Sequence, residues 1–247
     1  MYRAIFFDPF DTLVYYDRTQ LPELRINGQV IHSTAGGLYP ILAEAFPHIE
    51  LRAFYDAVLW SWQEAEKIRD REGREVSAPT RFTMIFLRLG LDPSALPHGL
   101  LQTLLEAHKT LFSRAAVFPE AHRELLRRLS GRFRFAIVSN FDYSATVHLI
   151  LEREVITHYF DAVVISDEIG WRKPNPTIFH EALRRLSLEP SEVLFVGDRA
   201  EIDVFGAKRV GMTAAWVNPD RAPLPGGAPA PDIEIQALSE LAPFLNA

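Results

Sequence analysis

The sequence contains no cysteine among its 247 residues. This absence excludes disulfide bonds, thiolate metal sites and a cysteine nucleophile, and it is typical of a reducing compartment. Any metal ion must therefore be held by oxygen ligands or by imidazole. The sequence also lacks an uninterrupted apolar run of about 18 residues, and its N-terminal apolar run is too short for a signal peptide. We therefore expect a cytoplasmic protein.

The sequence also has fewer basic than acidic residues. The 26 Lys and Arg residues against 32 Asp and Glu residues give a formal net charge of −6. A mildly acidic surface repels the phosphate backbone, so nucleic acid is not an expected partner. The hydrophobic fraction of 48% and the charged fraction of 23% are typical of globular proteins that bury a sizeable core. The length allows one large domain, or a core with a smaller second module.

Short, continuous apolar runs predict a parallel β-sheet. Continuous rather than alternating apolar residues suit strands that are covered on both faces. Between the later runs the apolar residues take helical spacing, so the pattern predicts a doubly wound, Rossmann-like α/β fold. The candidate strands are Ala4–Phe7, Phe135–Ser139, Ala162–Ser166 and Val193–Gly197, with Thr213–Val217 and Ile233–Ile235 as further edge strands.

The long interval after the first candidate strand differs from the rest. Residues 16–114 show helical periodicity and no convincing buried strand, which predicts an α-helical cap domain inserted into a core of residues 1–15 and 115–247. Such an insertion lies above the carboxyl edge of the sheet, where ligands bind in these folds. Within it, Arg81 is a candidate contact for an anionic substrate, although its position is more typical of a surface residue. Residues 219–231 are rich in Pro and Gly and predict a surface loop.

Polar residues follow several of the candidate strands. Each one alone is typical of a turn or a helix cap. Together they indicate a site, because parallel strands bring their carboxyl ends to one edge of the sheet. These residues are Asp8 after the first strand, Ser139 and Asn140 at the second, Lys173 further along, and then Asp198 and Asp203.

The charges of these residues indicate a metal site. Asp8, Asp198 and Asp203 against Lys173 leave two uncompensated negative charges in one crevice, and like charges held close together cannot all stay ionised without a counterion. A divalent cation balances them. Oxygen ligands without sulfur or a histidine pair favour Mg²⁺.

The motifs resemble those of the haloacid dehalogenase-like hydrolase superfamily, whose members are mostly Mg²⁺-dependent phosphatases. The similarity covers the core nearly end to end, and the helical insertion resembles the cap that one subgroup carries between its first two motifs. The segments that carry the resemblance are Asp8 with Thr12-Leu13, Val138-Ser139-Asn140, Gly170–Phe179, and Val196-Gly197-Asp198 with Asp203.

The resemblance implies a role for each matching residue. Asp8 is then the nucleophile that forms an aspartyl phosphate with a small phosphorylated metabolite. Ser139 and Asn140 hydrogen-bond the transferring phosphoryl group, and Lys173 neutralises charge on that group and on Asp8. The Mg²⁺ ligands that the resemblance implies are Asp8, the backbone carbonyl of Phe10, and Asp198. Asp203 then contacts the residues around the ion rather than the ion itself.

The sequence departs from the family's phosphatases at Phe10. Those enzymes place a second Asp two residues after the nucleophile, which protonates the leaving alcohol and then activates water. A phenyl ring cannot carry a proton, and such help is typically worth about 10²–10⁴-fold. The adjacent Asp11 points to the opposite side in an extended segment, so we interpret it as a turn residue.

Three interpretations are open on the sequence alone. The first is an atypical Mg²⁺-dependent phosphatase, acting on leaving groups that depart unprotonated, such as aryl or acyl phosphates, or using an acid from the cap. The second is a metal-independent 2-haloacid dehalogenase, because that branch carries an aromatic residue at the position of Phe10. Against it, the dehalogenases replace the Gly197-Asp198 pair with uncharged residues. The third is a non-catalytic member that binds a phosphate-bearing ligand or a protein.

Overall fold

The computed structural model describes residues 2–245. Its strands are β1 (Ala4–Phe7), β2 (Tyr15–Tyr16), β3 (Glu23–Ile26), β4 (Gln29–His32), β5 (Ala116–Val117), β6 (Arg134–Ser139), β7 (Ala162–Ile165), β8 (Val193–Gly197), β9 (Thr213–Val217) and β10 (Ile233–Ile235). Its α-helices are α1 (Ala35–Ala45), α2 (Leu51–Glu72), α3 (Ala78–Arg88), α4 (Leu100–Arg114), α5 (Glu120–Leu129), α6 (Ser144–Arg153), α7 (Ser166–Ile169), α8 (Pro176–Leu186) and α9 (Phe205–Arg209).

The chain folds into two compact units. The first, which we call the core unit, comprises Met1–Tyr16, Val117–Phe141 and Leu151–Ala247. The second, which we call the cap unit, comprises Asp17–Ala116 and Asp142–Ile150. The short segment 142–150 was not expected in the cap unit.

The core unit is built on a six-stranded sheet. Its strand order is β10-β9-β8-β1-β6-β7, and each neighbouring pair is parallel. Helices flank the sheet, which confirms the doubly wound α/β class. All four residues of β1 are 0% exposed, because the strand is covered on both faces, and this double burial is why its sequence is continuously apolar. Of the two strands expected at an edge, β10 lies there and β9 lies one strand further in.

The strand order places a switch point beside β1. After β1 the chain adds β6 and β7 on one side, and it then crosses to add β8, β9 and β10 on the other. In doubly wound sheets, ligands bind in the crevice outside the carboxyl ends of the strands where the order reverses. In this sheet the crevice lies at the carboxyl ends of β1 and β8.

The cap unit is a small helical assembly. Its apolar core is formed by side chains from α1, α2, α3 and α4, among them Leu42, Phe54, Phe86 and Leu104. Each of these helices lies within residues 16–114, the interval whose periodicity predicted helices. Helix α2 ends at Gly73, whose φ of 66° is the left-handed conformation that glycine adopts readily at a helix C-terminus.

The cap unit also contains a β-hairpin that was not expected. Strands β3 and β4 pair in antiparallel register, with Ile26 opposite Gln29. The two residues between them, Asn27 and Gly28, have φ values of 51° and 79°. Asn-Gly with positive φ at both positions is the preferred sequence for a two-residue hairpin turn.

Two further expectations concern the surface and the membrane. The Pro- and Gly-rich residues 219–231 form neither helix nor strand, as predicted. Within residues 2–245, no helix combines the length and the apolar character needed to cross a membrane.

Candidate active site

Asp8 and Asp198 lie side by side at the switch point of the sheet. Asp8 directly follows β1 and Asp198 directly follows β8, and these strands are paired with Phe7 opposite Val196. The backbone N–H of Asp8 extends the pairing by donating to the carbonyl of Val196 at 2.9 Å. The sheet therefore brings together two carboxylates that are 190 residues apart in sequence.

Asp203 completes a cluster of three carboxylates. One oxygen from each of Asp8, Asp198 and Asp203 lies within 4.8 Å of the other two, an arrangement compatible with a shared metal ion. Asp203 lies in a π-helical turn, Ala200–Val204, that leads into α9. Its Oδ2 accepts a hydrogen bond of 3.1 Å from the backbone N–H of Arg199. The site thus offers only oxygen donors, the type that Mg²⁺ prefers.

Gly197 makes the position of Asp203 possible. A Cβ atom at this glycine would lie 2.5 Å from both Cβ and Cγ of Asp203, closer than real Cβ contacts. The glycine is therefore required by close approach between β8 and the Asp203 side chain.

Lys173 joins the cluster as its cation. Its Nζ forms ion pairs with Oδ1 of Asp8 and, at 2.8 Å, with Oδ1 of Asp203. Lys173 and Asp203 are 3% and 1% exposed. Helix α8 begins immediately afterwards, because Asn175 caps it by accepting a hydrogen bond of 2.9 Å from the N–H of Thr177.

The electrostatics of the site reflect burial of several charges together. Burial raises the pKa of Asp8 to about 7, with Asp203 adding to the rise and Lys173 opposing it. Burial also raises the pKa of Asp198 to about 8, and the neighbouring Asp8 and Asp203 add to that rise. For Lys173, burial opposes the charged form, but Asp203 and Asp8 nevertheless raise the pKa of the ammonium. The surplus of negative charge is the condition that a bound divalent cation relieves.

Ser139 is the last residue of β6, which is next to β1 in the sheet, and Asn140 follows it directly. Ser139 is 0% exposed, and its hydroxyl has no hydrogen-bond partner within the described chain. Asn140 is engaged with the main chain of Lys173: its amide donates to the Lys173 carbonyl at 2.9 Å and its Oδ1 accepts from the Lys173 N–H at 2.7 Å. The structure therefore places Asn140 as a support for Lys173, and its predicted hydrogen bond to a phosphoryl group stays a prediction.

Thr12 was not singled out as a site residue by the sequence. It is 1% exposed, and its hydroxyl, like that of Ser139, has no partner in the part of the chain that the structure describes. Leaving a buried hydroxyl unsatisfied costs about 1–3 kcal/mol. Its place in the Asp8…Thr12-Leu13 motif was the only sequence signal.

Phe10 and Phe141 form a stacked pair at the same edge. Their ring centroids are 5.0 Å apart, with 26° between the ring planes. Phe10 lies two residues after Asp8, and Phe141 lies two residues after Ser139. Asp11, which we interpreted as a turn residue, has a φ of 58°, and its N–H donates to the carbonyl of Val14 at 2.7 Å.

Comparison with known proteins identifies the family. The model for haloacid dehalogenase-like hydrolases matches residues 2–211. The chain therefore belongs to this family, and it is a hydrolase. The resemblance inferred from the motifs is confirmed.

Individual relatives agree with that assignment. The chain is 35% identical over 189 residues to a glyceraldehyde 3-phosphate phosphatase of Methanopyrus kandleri, covering 73% of this chain and 79% of that protein. It is 32% identical over 166 residues to a pyrimidine 5'-nucleotidase of Escherichia coli, covering 67% and 69%. Its fold is similar to the crystal structure of a haloacid dehalogenase-like phosphatase from Thermococcus onnurineus, with a TM-score of 0.64, 26% identity, and coverage of 98% and 97%.

Proposed function

We propose that the protein is a Mg²⁺-dependent phosphatase that acts on a small phosphorylated metabolite through an aspartyl phosphate on Asp8. The observation that carries this proposal is the cluster of Asp8, Asp198 and Asp203 within 4.8 Å, beside the buried Lys173. The similarity to a sugar-phosphate phosphatase and to a nucleotidase supports the same reaction class. The cytoplasmic location stays a prediction.

The residues present fit a magnesium site. Asp8, Asp198 and the backbone carbonyl of Phe10 would hold the ion. Asp203 would stabilise this arrangement indirectly, through its contacts with Lys173 and Arg199. The carboxylates that burial leaves with raised pKa values are the groups a cation would stabilise in their charged form. When bound, Mg²⁺ supplies positive charge that neutralises the phosphate oxygens.

The chain's own residues supply the remaining parts of the reaction. An oxygen of Asp8 bonds to phosphorus while the ester P–O bond breaks, and the alcohol oxygen leaves with the electron pair and takes a proton from solvent. A water oxygen then bonds to phosphorus as the bond from Asp8 to phosphorus breaks, which releases inorganic phosphate and frees the Asp8 carboxylate. Lys173 balances negative charge on Asp8 and on the phosphoryl group. The Ser139 hydroxyl, buried and unpartnered among residues 2–245, donates to a phosphoryl oxygen. Phosphoryl transfer depends chiefly on positioning and charge neutralisation, which this set of residues supplies.

A 2-haloacid dehalogenase is the second candidate function. The observation that favours it is Phe10, because halide departs without a proton and needs no acid at that position. The three carboxylates argue against it, since without a metal they would repel an anionic 2-haloacid. We therefore rank it below the phosphatase.

One paired assay tests the proposal. Wild type and Asp8→Asn are given p-nitrophenyl phosphate or a 2-haloacid, each with Mg²⁺ or with EDTA. We expect nitrophenol release that requires Mg²⁺ and is lost in Asp8→Asn, because an amide cannot act as the nucleophile. Asp220→Asn, in the exposed loop of residues 219–231, is the matched control and should behave as wild type. Halide release that persists in EDTA would instead support the dehalogenase.

A further inference from the structure

The Phe10–Phe141 pair joins the loops that follow β1 and β6. These strands are direct neighbours, with Phe7 opposite Ile137. Both rings are partly exposed, and they stack with centroids 5.0 Å apart. An aromatic surface therefore lies at the carboxyl edge of the sheet, within two residues of both Asp8 and Ser139.

Neither ring of the pair carries a proton, so the position two residues after Asp8 offers no acid to a leaving group. When the ester of an alkyl alcohol is cleaved, the alcohol leaves as an alkoxide unless an acid protonates its oxygen. Loss of this proton transfer slows the reaction by about 10²–10⁴-fold. A phenol is a far stronger acid than an alcohol, so its phenolate departs without a proton. Aromatic rings also favour stacked contact with other aromatic rings.

We propose that the Phe10–Phe141 pair makes the enzyme selective for aryl phosphates, with the pair packing against the ring of the leaving group. This inference rests on the proposed phosphatase function. In the first step the Asp8 oxygen bonds to phosphorus, the P–O bond to the aryl oxygen breaks, and the electron pair leaves as phenolate with no proton transferred.

The missing acid or base at the position of Phe10 also slows the second step. A water oxygen bonds to phosphorus, the bond from Asp8 to phosphorus breaks, and the proton of water ends on the departing phosphate. The pair supplies no base to accelerate this step, so the aspartyl phosphate accumulates. Mixing enzyme with p-nitrophenyl phosphate should give a burst of one nitrophenol per active site, followed by slower steady release.

The test compares kcat/KM for four phosphorylated substrates in Mg²⁺: the esters p-nitrophenyl phosphate, phenyl phosphate and glycerol 3-phosphate, and the acyl phosphate acetyl phosphate. We expect p-nitrophenyl phosphate to exceed glycerol 3-phosphate by at least about 10²-fold, with phenyl phosphate between them. Acetyl phosphate has an acidic leaving group without a ring. It therefore shows the effect of leaving-group acidity without any stacking on the Phe10–Phe141 pair. Phe10→Asp should raise kcat/KM for glycerol 3-phosphate by about 10²-fold and abolish the burst.

Phe141→Leu tests the stacking contact separately. We expect kcat/KM to fall roughly threefold to tenfold for p-nitrophenyl phosphate and to stay unchanged for acetyl phosphate. The matched control is Phe160→Leu, two residues before β7 and therefore at the amino edge of the sheet, where Phe160 contacts Phe135. It should leave both values unchanged.

The possible failures are distinguishable. Similar kcat/KM values for alkyl and aryl esters, or no gain in a folded Phe10→Asp, would overturn the selectivity while leaving the phosphatase intact. An equal loss on both substrates in Phe141→Leu would overturn the stacking contact, and linear release without a burst would overturn the slow second step. Inactivity toward all four substrates would overturn the proposed function, and this inference with it.

Discussion

At Gly197, the missing side chain lets Asp203 approach β8 closely enough to reach Lys173. A methyl group there would meet Cβ and Cγ of Asp203 at 2.5 Å, and both belong to a buried side chain with little room to move. The displaced carboxylate would carry Lys173 with it, because Nζ of Lys173 lies 2.8 Å from Oδ1 of Asp203.

We therefore predict that Gly197→Ala lowers kcat for p-nitrophenyl phosphate by roughly 10²-fold, the scale of loss for a catalytic group moved by about 1 Å. Steady-state kinetics with Mg²⁺ measures the effect. Gly226→Ala is the matched control, since a Cβ at Gly226 meets nothing within 4 Å. Unchanged kcat in a folded Gly197→Ala would contradict the role assigned to the glycine.

Single residues also mark the limit of what the sequence can predict about the site. Asp8 and Asp198 were predicted to converge because each directly follows a recognisable strand, and Asp203 was included because it follows Asp198 by five residues. The two hydrogen bonds between the Asn140 side chain and the main chain of Lys173 were not predicted. The two residues are 33 positions apart, and no local pattern specifies this pairing.

At the scale of elements, the core strands and most helices could be predicted because burial on both faces leaves a continuous apolar signature. The β3–β4 hairpin was missed because its strands are short and only partly buried, although Asn27-Gly28 was a usable turn signal. Arg81 was interpreted as a surface residue, but it is 3% exposed. Its partner Asp142 is 61 positions away, and periodicity within one helix gives no information about such a pair.

Asp142 links three elements of the cap unit. Its Oδ2 accepts from Nε of Arg81 on α3 at 2.6 Å and lies 3.6 Å from Nη2 of Arg69 on α2. Its backbone carbonyl accepts from the N–H of Ala78, at the start of α3, at 2.6 Å. These contacts hold segment 142–150 in the cap unit. Burial opposes ionisation of Asp142, yet Arg81 and other neighbours hold its pKa below the ordinary value.

We predict that Asp142→Asn lowers the free energy of unfolding by about 3–5 kcal/mol, because it leaves the buried Arg81 without its carboxylate. Urea unfolding measures the change. Asp56→Asn is the matched control: Asp56 pairs with Arg52 at 2.7 Å, but both side chains are about half exposed, so the expected loss is at most about 0.5 kcal/mol. Equal losses in the two variants would contradict the burial argument.

At the scale of the whole molecule, the chain forms two compact units with separate apolar cores. Because each unit buries its own titratable groups, we expect pH to change the stability of each unit separately. In the cap unit, His108 on α4 is 9% exposed, and its Nδ1 lies 3.1 Å from Oγ1 of Thr34. Burial lowers the pKa of His108 to about 4, with Arg81 adding to the decrease and Asp142 opposing it.

The sign of the pH effect follows from that shift. Below the ordinary histidine pKa of about 6.5 the unfolded chain binds a proton, whereas folded His108 stays neutral until about pH 4. Stability of the cap unit is therefore lost as pH falls through this interval. Between pH 7 and pH 5 the loss is about 2 kcal/mol, at about 1.4 kcal/mol for each unit of pKa shift.

We predict that His108→Asn, which keeps a polar atom near the position of Nδ1, removes this component, so that the loss of stability between pH 7 and pH 5 is about 2 kcal/mol smaller than in wild type. Urea unfolding at the two pH values, followed by the fluorescence of Trp60 and Trp62 on α2 in a Trp171→Phe/Trp216→Phe background, reports on the cap unit. His98→Asn, at an exposed position of the same unit, controls for the substitution itself. If wild type and His108→Asn lose stability equally on acidification, His108 is not held neutral by the fold.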